Sequence, residues 1–507
     1  MKAIKIKHGC GAFVLLLMLS TGCKKFIDVN ESPNAATTTT SELLFSNALN
    51  SYAASLSGSA AVLGNFWAGY WGHSTSFTTG APEKTYNFTN GDFNFWGGIY
   101  DNLNDFEAVI NSAEESGQPY LVGPSQVIKA VRFQELVDLY GNVPYREAFQ
   151  GLGKIQPGFD SAAVVYDSLI ILLDKAIANI KANALPAAYG ADIFTNGNSA
   201  LWIQFANTVK LRILVRQSLV PSRTNYVRTE IAKIIAEGSG FLTTDINNQP
   251  GYTKSLGKLN PFYSLTGYDH NDAATTGRQL YRVSRYLIDT LKATNDTIRM
   301  KYIAAVRPDA LPQNAPAFYL GRNSNYSGVS FGGEGSSYEA GVTSPIGLGR
   351  VVFGQATEAQ VIFTAAESYF LQAEASERLG IAFPGGSTQV LYERGVRESF
   401  RVNKIDDQAA SLLLTNSGSF TNATNKLNAI IYQKWVALAN FNGLEAWAEL
   451  RRNEYPAVPL SVNSNRVSNT KPVRLFYPQD ELASNPANVQ AQGNINVFTS
   501  RLFWDIQ

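Results

Sequence analysis

The sequence predicts a mainly α-helical fold of stacked helix pairs with a loop-rich insertion, on three observations. Two blocks, about 125–237 and 358–453, carry apolar residues at helical spacing. Between them, about 238–357, the chain is dense in Gly, Asn, Ser, Tyr and Pro, with one convincing helical stretch from Gly277 to Ala293. The 507 residues also exceed what one compact core organises, so two lobes or an extended helical array are expected. Two-helix units of roughly 30 to 45 residues stack in tetratricopeptide fashion because no single pair buries its own apolar face, although no repeat here matches that consensus.

The chain starts with Lys2, Lys5 and Lys7, then an apolar run from Phe13 to Leu19, then Ser20, Thr21 and Gly22, the segment order of a secretory signal. The run falls short of the roughly 20 apolar residues that cross a bilayer core. No later segment approaches that length without charges or Pro/Gly breaks, so the processed chain is expected to be soluble. Cys23 follows Gly22 directly and resembles the lipobox cysteine of bacterial lipoproteins, although Ser20 stands where that motif usually has Leu. On this reading 1–22 is a signal peptide and Cys23 the lipidated N-terminus, since two or more acyl chains anchor stably where one binds marginally. The alternative is a plain secreted protein with a chance cysteine near its cleavage site. Cys10 lies inside the signal, so processing would leave no free thiol and no disulfide.

The polar stretch 23–41, with Asn30, Pro33, Asn34 and Thr37 to Thr40, reads as a tether ahead of one body, 42–507. Glu42 to Leu63 has helical spacing, and Phe66 to Tyr100 is crowded with aromatics interrupted by Gly80, Pro82, Gly91, Gly97 and Gly98. A helix is expected over Val127 to Tyr140, stopped by Gly141 and Pro144, with partners over Ala162 to Lys181, Trp202 to Ser218 and Arg228 to Glu237. Helical pattern returns at Glu358 to Leu379, Ser387 to Arg401, Asn425 to Asn440 and Leu444 to Asn453. From Tyr455 the tail reads as Pro- and Asn-rich irregular chain.

Net charge is +1 and 16% of residues are charged, which argues against nucleic acid or an anionic membrane surface as the main partner. An enzyme reading finds few catalytic groups. His8 leaves with the signal, and His73 and His270 are isolated, so there is no H-E-x-x-H site and no cysteine to hold zinc. Gly328-Val329-Ser330-Phe331-Gly332 matches the G-x-S-x-G nucleophile pattern, but glycines and serines follow it and no His lies beyond residue 270, so it reads as a loop. Nucleotide-binding glycine motifs are absent, and no cofactor is indicated. Calcium is left open by the Asp- and Asn-rich loops but is not indicated, since no EF-hand spacing occurs. A glycosidase needs only two carboxylates at a set separation, so hydrolysis stays as the rival by class.

Asp138-Leu139-Tyr140-Gly141-Asn142-Val143-Pro144-Tyr145-Arg146-Glu147-Ala148-Phe149 resembles the SusD/RagB family of outer-membrane nutrient-binding lipoproteins. Pro157-Gly158-Phe159-Asp160, Leu173-Asp174-Lys175-Ala176, and Trp202 with Phe205-Ala206-Asn207 and Leu211-Arg212 agree in order. So do Gln372-Ala373-Glu374-Ala375, Tyr432-Gln433-Lys434-Trp435, Glu445-Ala446-Trp447 with Arg451-Arg452, Tyr477-Pro478 and Asn485-Pro486. The resemblance implies four tetratricopeptide-like pairs as scaffold, with the remaining segments forming a ligand-binding face. It also implies a partner, a TonB-dependent (SusC-like) transporter barrel on which the protein sits as a lid, capturing oligosaccharides or in some members peptides. The motif residues themselves read as scaffold, since Glu445, Trp447, Arg451 and Arg452 suit packing and bidentate ion pairing.

Sugar recognition needs flat apolar faces against the ring and fixed donors and acceptors at its hydroxyl edge. Two regions combine them: Trp67 to Tyr100, with Trp71, His73, Phe77, Tyr86, Phe95 and Trp96, and the irregular centre, with Tyr263, Tyr268, Asp269, His270, Asn323, Asn325, Tyr326 and Tyr338. Aromatic residues are more often core than platform, and loop location favours binding. Trp71, Trp96, Tyr268 and Tyr326 are therefore the expected stacking residues, and Asp269, Asn323 and Asn325 their polar partners. The expected function is non-catalytic capture of oligosaccharide for an outer-membrane transporter. Peptide capture is the alternative, a helical-repeat adaptor without a ligand pocket is third, and a surface glycoside hydrolase stays the rival by class.

Overall fold

Apolar spacing becomes helix throughout both blocks of the computed structural model, which describes residues 39–75, 81–316, 319–347 and 356–506. The expected signal peptide, the lipidation site Cys23, most of the tether and Phe77 lie outside the described residues. The principal elements, in order, begin with α1 (Ser41–Ser55), α2 (Ser59–Trp67), β1 (Trp71–His73) and α3 (Trp96–Glu115). The first block follows as α4 (Val122–Tyr140), α5 (Ala162–Ala182), α6 (Ser199–Arg216) and α7 (Thr224–Glu237). The centre holds β2 (Ile246–Asn248), β3 (Tyr281–Val283) and α8 (Arg285–Ala293). The second block holds β4 (Gln360–Phe363), α9 (Ala365–Leu379), α10 (Thr388–Arg401), α11 (Lys426–Leu438) and α12 (Gly443–Asn453).

Consecutive helices pack as pairs, α4 on α5, α6 on α7, α9 on α10 and α11 on α12, while α1 lies against α3. The blocks meet where α6 packs on α9, and α12 packs on the early helix α2, all within one compact unit from Ser41 to Gln507. No described helix is long and apolar enough to cross a membrane.

Three expectations need correction. The stretch from Glu42 to Leu63 is two helices, because the chain extends at Gly58 (ψ −175°). Gly277 to Ala293 is broken into a short helical turn (Thr276–Leu280), β3 and α8, with the Ser284 hydroxyl accepting from Leu287 N as the cap of α8. Gln360 to Phe363 is strand paired with β2, and α9 starts only after Thr364, whose hydroxyl accepts from Glu367 N. A long helix that the glycines Gly97 and Gly98 conceal is α3, whose buried face is Ile99, Leu103, Phe106, Val109 and Ala113.

Where helices of the two blocks meet, the interior is charged. Arg216 on α6 is fully buried and donates to Glu445 and Glu449 on α12, each at 2.5 Å. Arg452 holds Glu374 and Glu449 at 2.6 Å, and Lys434 on α11 holds the same two carboxylates at 2.7 and 2.6 Å. Of these, Glu374, Lys434, Glu445 and Arg452 are motif residues of the resemblance, and they sit in the scaffold. The C-terminal tail closes the end of α4, which stops at Gly141 in a backbone conformation (φ 82°, ψ −117°) open to glycine. Leu475 N donates to Leu139 O, the Tyr477 hydroxyl to Asn142 O, and Trp504 Nε1 to the Asp138 carboxylate at 3.0 Å.

Candidate functional site

The aromatic-rich early region and the irregular centre are joined by an antiparallel pair, β1 with β3, in the register Trp71↔Val283, Gly72↔Arg282 and His73↔Tyr281. Gly72 is required at this junction, since a Cβ there would lie 2.3 Å from a Val329 methyl. The pairing places Tyr281 beside the start of α2 and the 93–95 loop. Together they line an open cleft of about 550 Å³.

The apolar part of the cleft is Phe66, Phe93, Phe95 and Tyr281, and its polar edge is Ser57, Ser59, Glu83 and Asn94. Tyr281, Phe93 and Phe95 are partly exposed. Tyr281 is held from behind by Trp71, stacked at 5.4 Å and 25°, and edge-on by Phe66 at 5.8 Å. Phe66 in turn stacks on His73 at 4.1 Å.

His73 Nε2 lies 2.9 Å from Glu83 Oε1. Burial pushes the His73 imidazole below its ordinary pKa, which favours a neutral ring donating to the Glu83 carboxylate. Burial alone would raise the Glu83 carboxyl, but the contact with His73 and the nearby Lys84 hold it below the usual range. Glu83, the one carboxylate among the described residues of the cleft, is thus ionised and occupied, whereas glycoside hydrolysis uses two. Among the described residues no group of three His, Cys, Asp or Glu gathers as a metal site.

The expected stacking residues are mostly one layer too deep. Trp71 is 1% exposed, with Nε1 donating to Asn440 Oδ1 at 2.9 Å, so it braces the platform rather than forming it. Trp96 opens α3 in the core, stacked on Phe159 and edge-on to Tyr140. Tyr326 is 2% exposed and spends its hydroxyl on Leu320 O. None of the three offers a ring face to a ligand, because all three are buried.

The polar residues expected beside them serve turns. Asp269 Oδ1 accepts from Asn271 N and Ala273 N at 2.8 and 2.9 Å, and these backbone donors hold its carboxyl below the ordinary range. The Asn325 side chain accepts from Arg322 N and donates to Ala310 O. Asn323 is exposed, and Tyr268 is partly exposed, with its ring against Tyr263 at 6.2 Å and the Arg278 guanidinium 5.4 Å from it.

The cleft's own platform residues were within reach of the sequence only in part. Phe93 and Phe95 belong to the aromatic-rich region, but Tyr281 falls inside the stretch whose spacing predicts continuous helix. A second, more apolar cleft of about 480 Å³ lies on the far side of Phe66, between Tyr86, Phe331, α8 and the 458–462 segment. Val329, Ser330 and Phe331 line it, so the G-x-S-x-G match is a loop wall, with no helix following.

Fold and cleft define a scaffold of helix pairs carrying an open cleft of aromatic rings edged by hydroxyl and amide groups. The chain belongs to the SusD-like family, whose profile, described as starch-binding and associating with the outer membrane, matches residues 33–478. Solved structures agree in fold. A chitin-binding SusD homologue from Flavobacterium johnsoniae superposes with a TM-score of 0.73 at 23% identity, covering 91% of this chain and 99% of that one. SusD homologues from Bacteroides fragilis (TM-score 0.75, 20% identity, 92% and 100% covered) and Bacteroides thetaiotaomicron (0.72, 22%, 92% and 99%) do the same. No curated protein sequence matches the chain.

Proposed function

We propose that this protein is held at the outer membrane by lipid on Cys23, faces the exterior, captures oligosaccharide without cleaving it, and passes it to a TonB-dependent transporter. The observation that carries the proposal is the cleft at Tyr281. The Phe93, Phe95 and Tyr281 rings that line it, each partly exposed, suit the C–H face of a sugar ring, and Ser57, Ser59 and Asn94 suit its hydroxyl edge. Glu83, the single lining carboxylate among the described residues, is already paired with His73, which favours binding over hydrolysis. The family description points to α-glucans as the first ligands to try, and the Flavobacterium homologue adds chitin fragments.

The test is titration of the protein with a panel of oligosaccharides, polysaccharides and mixed peptides while reducing ends are monitored. Binding of one glycan without new reducing ends is expected, weakened about tenfold or more in Tyr281→Ala, the scale of losing a stacked ring. Binding to peptides alone would move the ligand class, and release of reducing ends would overturn the non-catalytic reading. Co-purification of a large β-barrel from solubilised outer membranes is the expected sign of the transporter.

A further inference from the structure

Beyond the cleft at Tyr281, we propose that the protein carries a second saccharide-binding site, in a separate cleft between the end of α8 and the start of α11; this rests on the saccharide reading above.

The second site is an open cleft of about 690 Å³ and is the largest of the three concavities described here. Its floor is Tyr286, Tyr432 and Tyr455, and its rim is the segment Asn416 to Asn428. Among the described residues no Asp, Glu, Lys or Arg lines it, and Lys426 of the rim segment has its ammonium over the Phe420 ring instead. An interior of tyrosines, amides and hydroxyls without charge gives a phosphate, a carboxylate or an amine nothing to pair with. It does provide ring faces and neutral donors and acceptors, the two things a neutral polyol uses.

The floor is fixed in advance. Tyr286 stands edge-on to the buried Trp435 at 5.8 Å and 66°, and Tyr432 lies against the same indole at 6.0 Å and 34°. Trp435 is itself held by donation from Nε1 to Ala68 O at 2.9 Å. The Tyr432 hydroxyl is 3.1 Å from Thr294 Oγ1, and Ser417 donates to Thr294 O, which ties the rim to the end of α8. Tyr392 donates to Gly418 O at 2.8 Å from below.

Against that fixed floor some polar groups are left over. The side chains of Asn422, Thr424 and Asn428 make no hydrogen bond within the described residues, whereas the neighbouring Asn425 spends its carbonyl oxygen capping α11 through Asn428 N at 2.9 Å. A rigid aromatic floor under uncommitted amides is an arrangement that ordering costs favour, because the protein loses little freedom when a ligand arrives.

Tyr286 and Thr290 also line the 480 Å³ cleft, which shares the Phe66 ring with the cleft at Tyr281. The three concavities therefore follow one another along the molecule. A chain long enough to reach both saccharide sites would bind bivalently, and its affinity would exceed that of a short fragment through effective concentration alone.

Calorimetric titration of the full chain with the glycan panel, in short and long chain lengths, tests this. The wild type is expected to take up two equivalents of short oligosaccharide. The double variant Asn422→Ala/Asn428→Ala is expected to lose about tenfold in affinity at one of the two sites, the scale of two neutral hydrogen bonds, with the other unchanged. Tyr281→Ala should do the reverse, and either variant should remove most of the preference for long chains. One equivalent of saccharide, with the double variant indistinguishable from wild type, would overturn the second site and leave the first. Heat from peptides but no saccharide at the double variant's site would also overturn it. Absence of binding by every glycan in the panel would overturn the saccharide reading of both clefts.

Discussion

The Arg452 guanidinium is fully buried between Glu374 and Glu449. Replacing a whole buried ion pair by apolar groups can be neutral, but removing one partner strands the rest, at about 3–5 kcal/mol. Arg452→Ala is therefore expected to lower the urea midpoint by that amount at an unchanged slope. Burial pushes the Glu374 carboxyl up, but Arg452 and Lys434 overcome this and hold it at about 2, below its ordinary 4.5, and Glu449 lies well below likewise. Their contribution is complete above pH 4.5 and is lost as pH falls from there toward 2. Glu367 behaves oppositely, since burial and the neighbouring Glu445 raise it to about 7 despite Arg212 at 3.4 Å. The folded protein then binds the extra proton between 4.5 and 7, so stability falls as pH rises across that window. Glu367→Gln, a neutral mimic of the protonated carboxyl, is expected to remove this decline, so that its urea midpoint lies close to wild type near pH 5 and above it near pH 7.5. His73 titrates in the opposite sense and is common to both proteins, so it cancels. At this scale the scaffold was legible and the ligand platform was not. Glu445, Arg451 and Arg452 are where helical spacing puts packing residues, whereas nothing in the order of residues tells a buried Trp71 from a partly exposed Tyr281. That distinction depends on the β1–β3 pairing, which joins positions some two hundred residues apart in sequence.

Helix existence followed periodicity and helix limits followed caps, which explains both the agreements and the errors among the elements. α5 and α10 begin and end close to the expected residues because their apolar stripes run between clear stop signals. Tyr281 to Val283 escaped notice because three residues of strand between two helical turns keep an apolar spacing that a single helix also fits. What a periodicity reading does not carry is how closely two elements approach. The start of α12 crosses α2 at a pair of glycines, where a Cβ on Gly443 would lie 2.4 Å from Asn65 N and one on Gly64 2.5 Å from Leu444 N. The obstructing atoms are backbone, so the helices have to separate to admit even a methyl group. Gly443→Ala is expected to destabilise by about 1–3 kcal/mol, the usual cost of overpacking, visible as a lower thermal midpoint. Gly190→Ala, where a Cβ meets nothing within 4 Å, is the matched control and should leave the midpoint nearly unchanged.

Across the whole molecule, the two helical blocks are separated in sequence by the long centre yet share one interior. Arg212 and Arg216 on α6 reach Glu367, Glu445 and Glu449 in the second block, and the tail returns to the first. Trp504, three residues from the end of the sequence, is fully buried. Its Nε1 donates to Asp138 on α4, and the guanidiniums of Arg216 and Arg451 lie 5.3 and 5.0 Å from its ring. Here its removal opens a cavity against both blocks and leaves the buried Asp138 carboxylate one donor short. Trp504→Ala is expected to cost about 3–5 kcal/mol and to lower one cooperative calorimetric transition. Because Arg212 and Arg216 on α6 share the carboxylates of Glu367, Glu445 and Glu449 with the second block, the two blocks are expected to unfold together. A separate low-temperature transition, with the main one unmoved, would mean that the tail melts alone and that the shared interior does not couple the blocks.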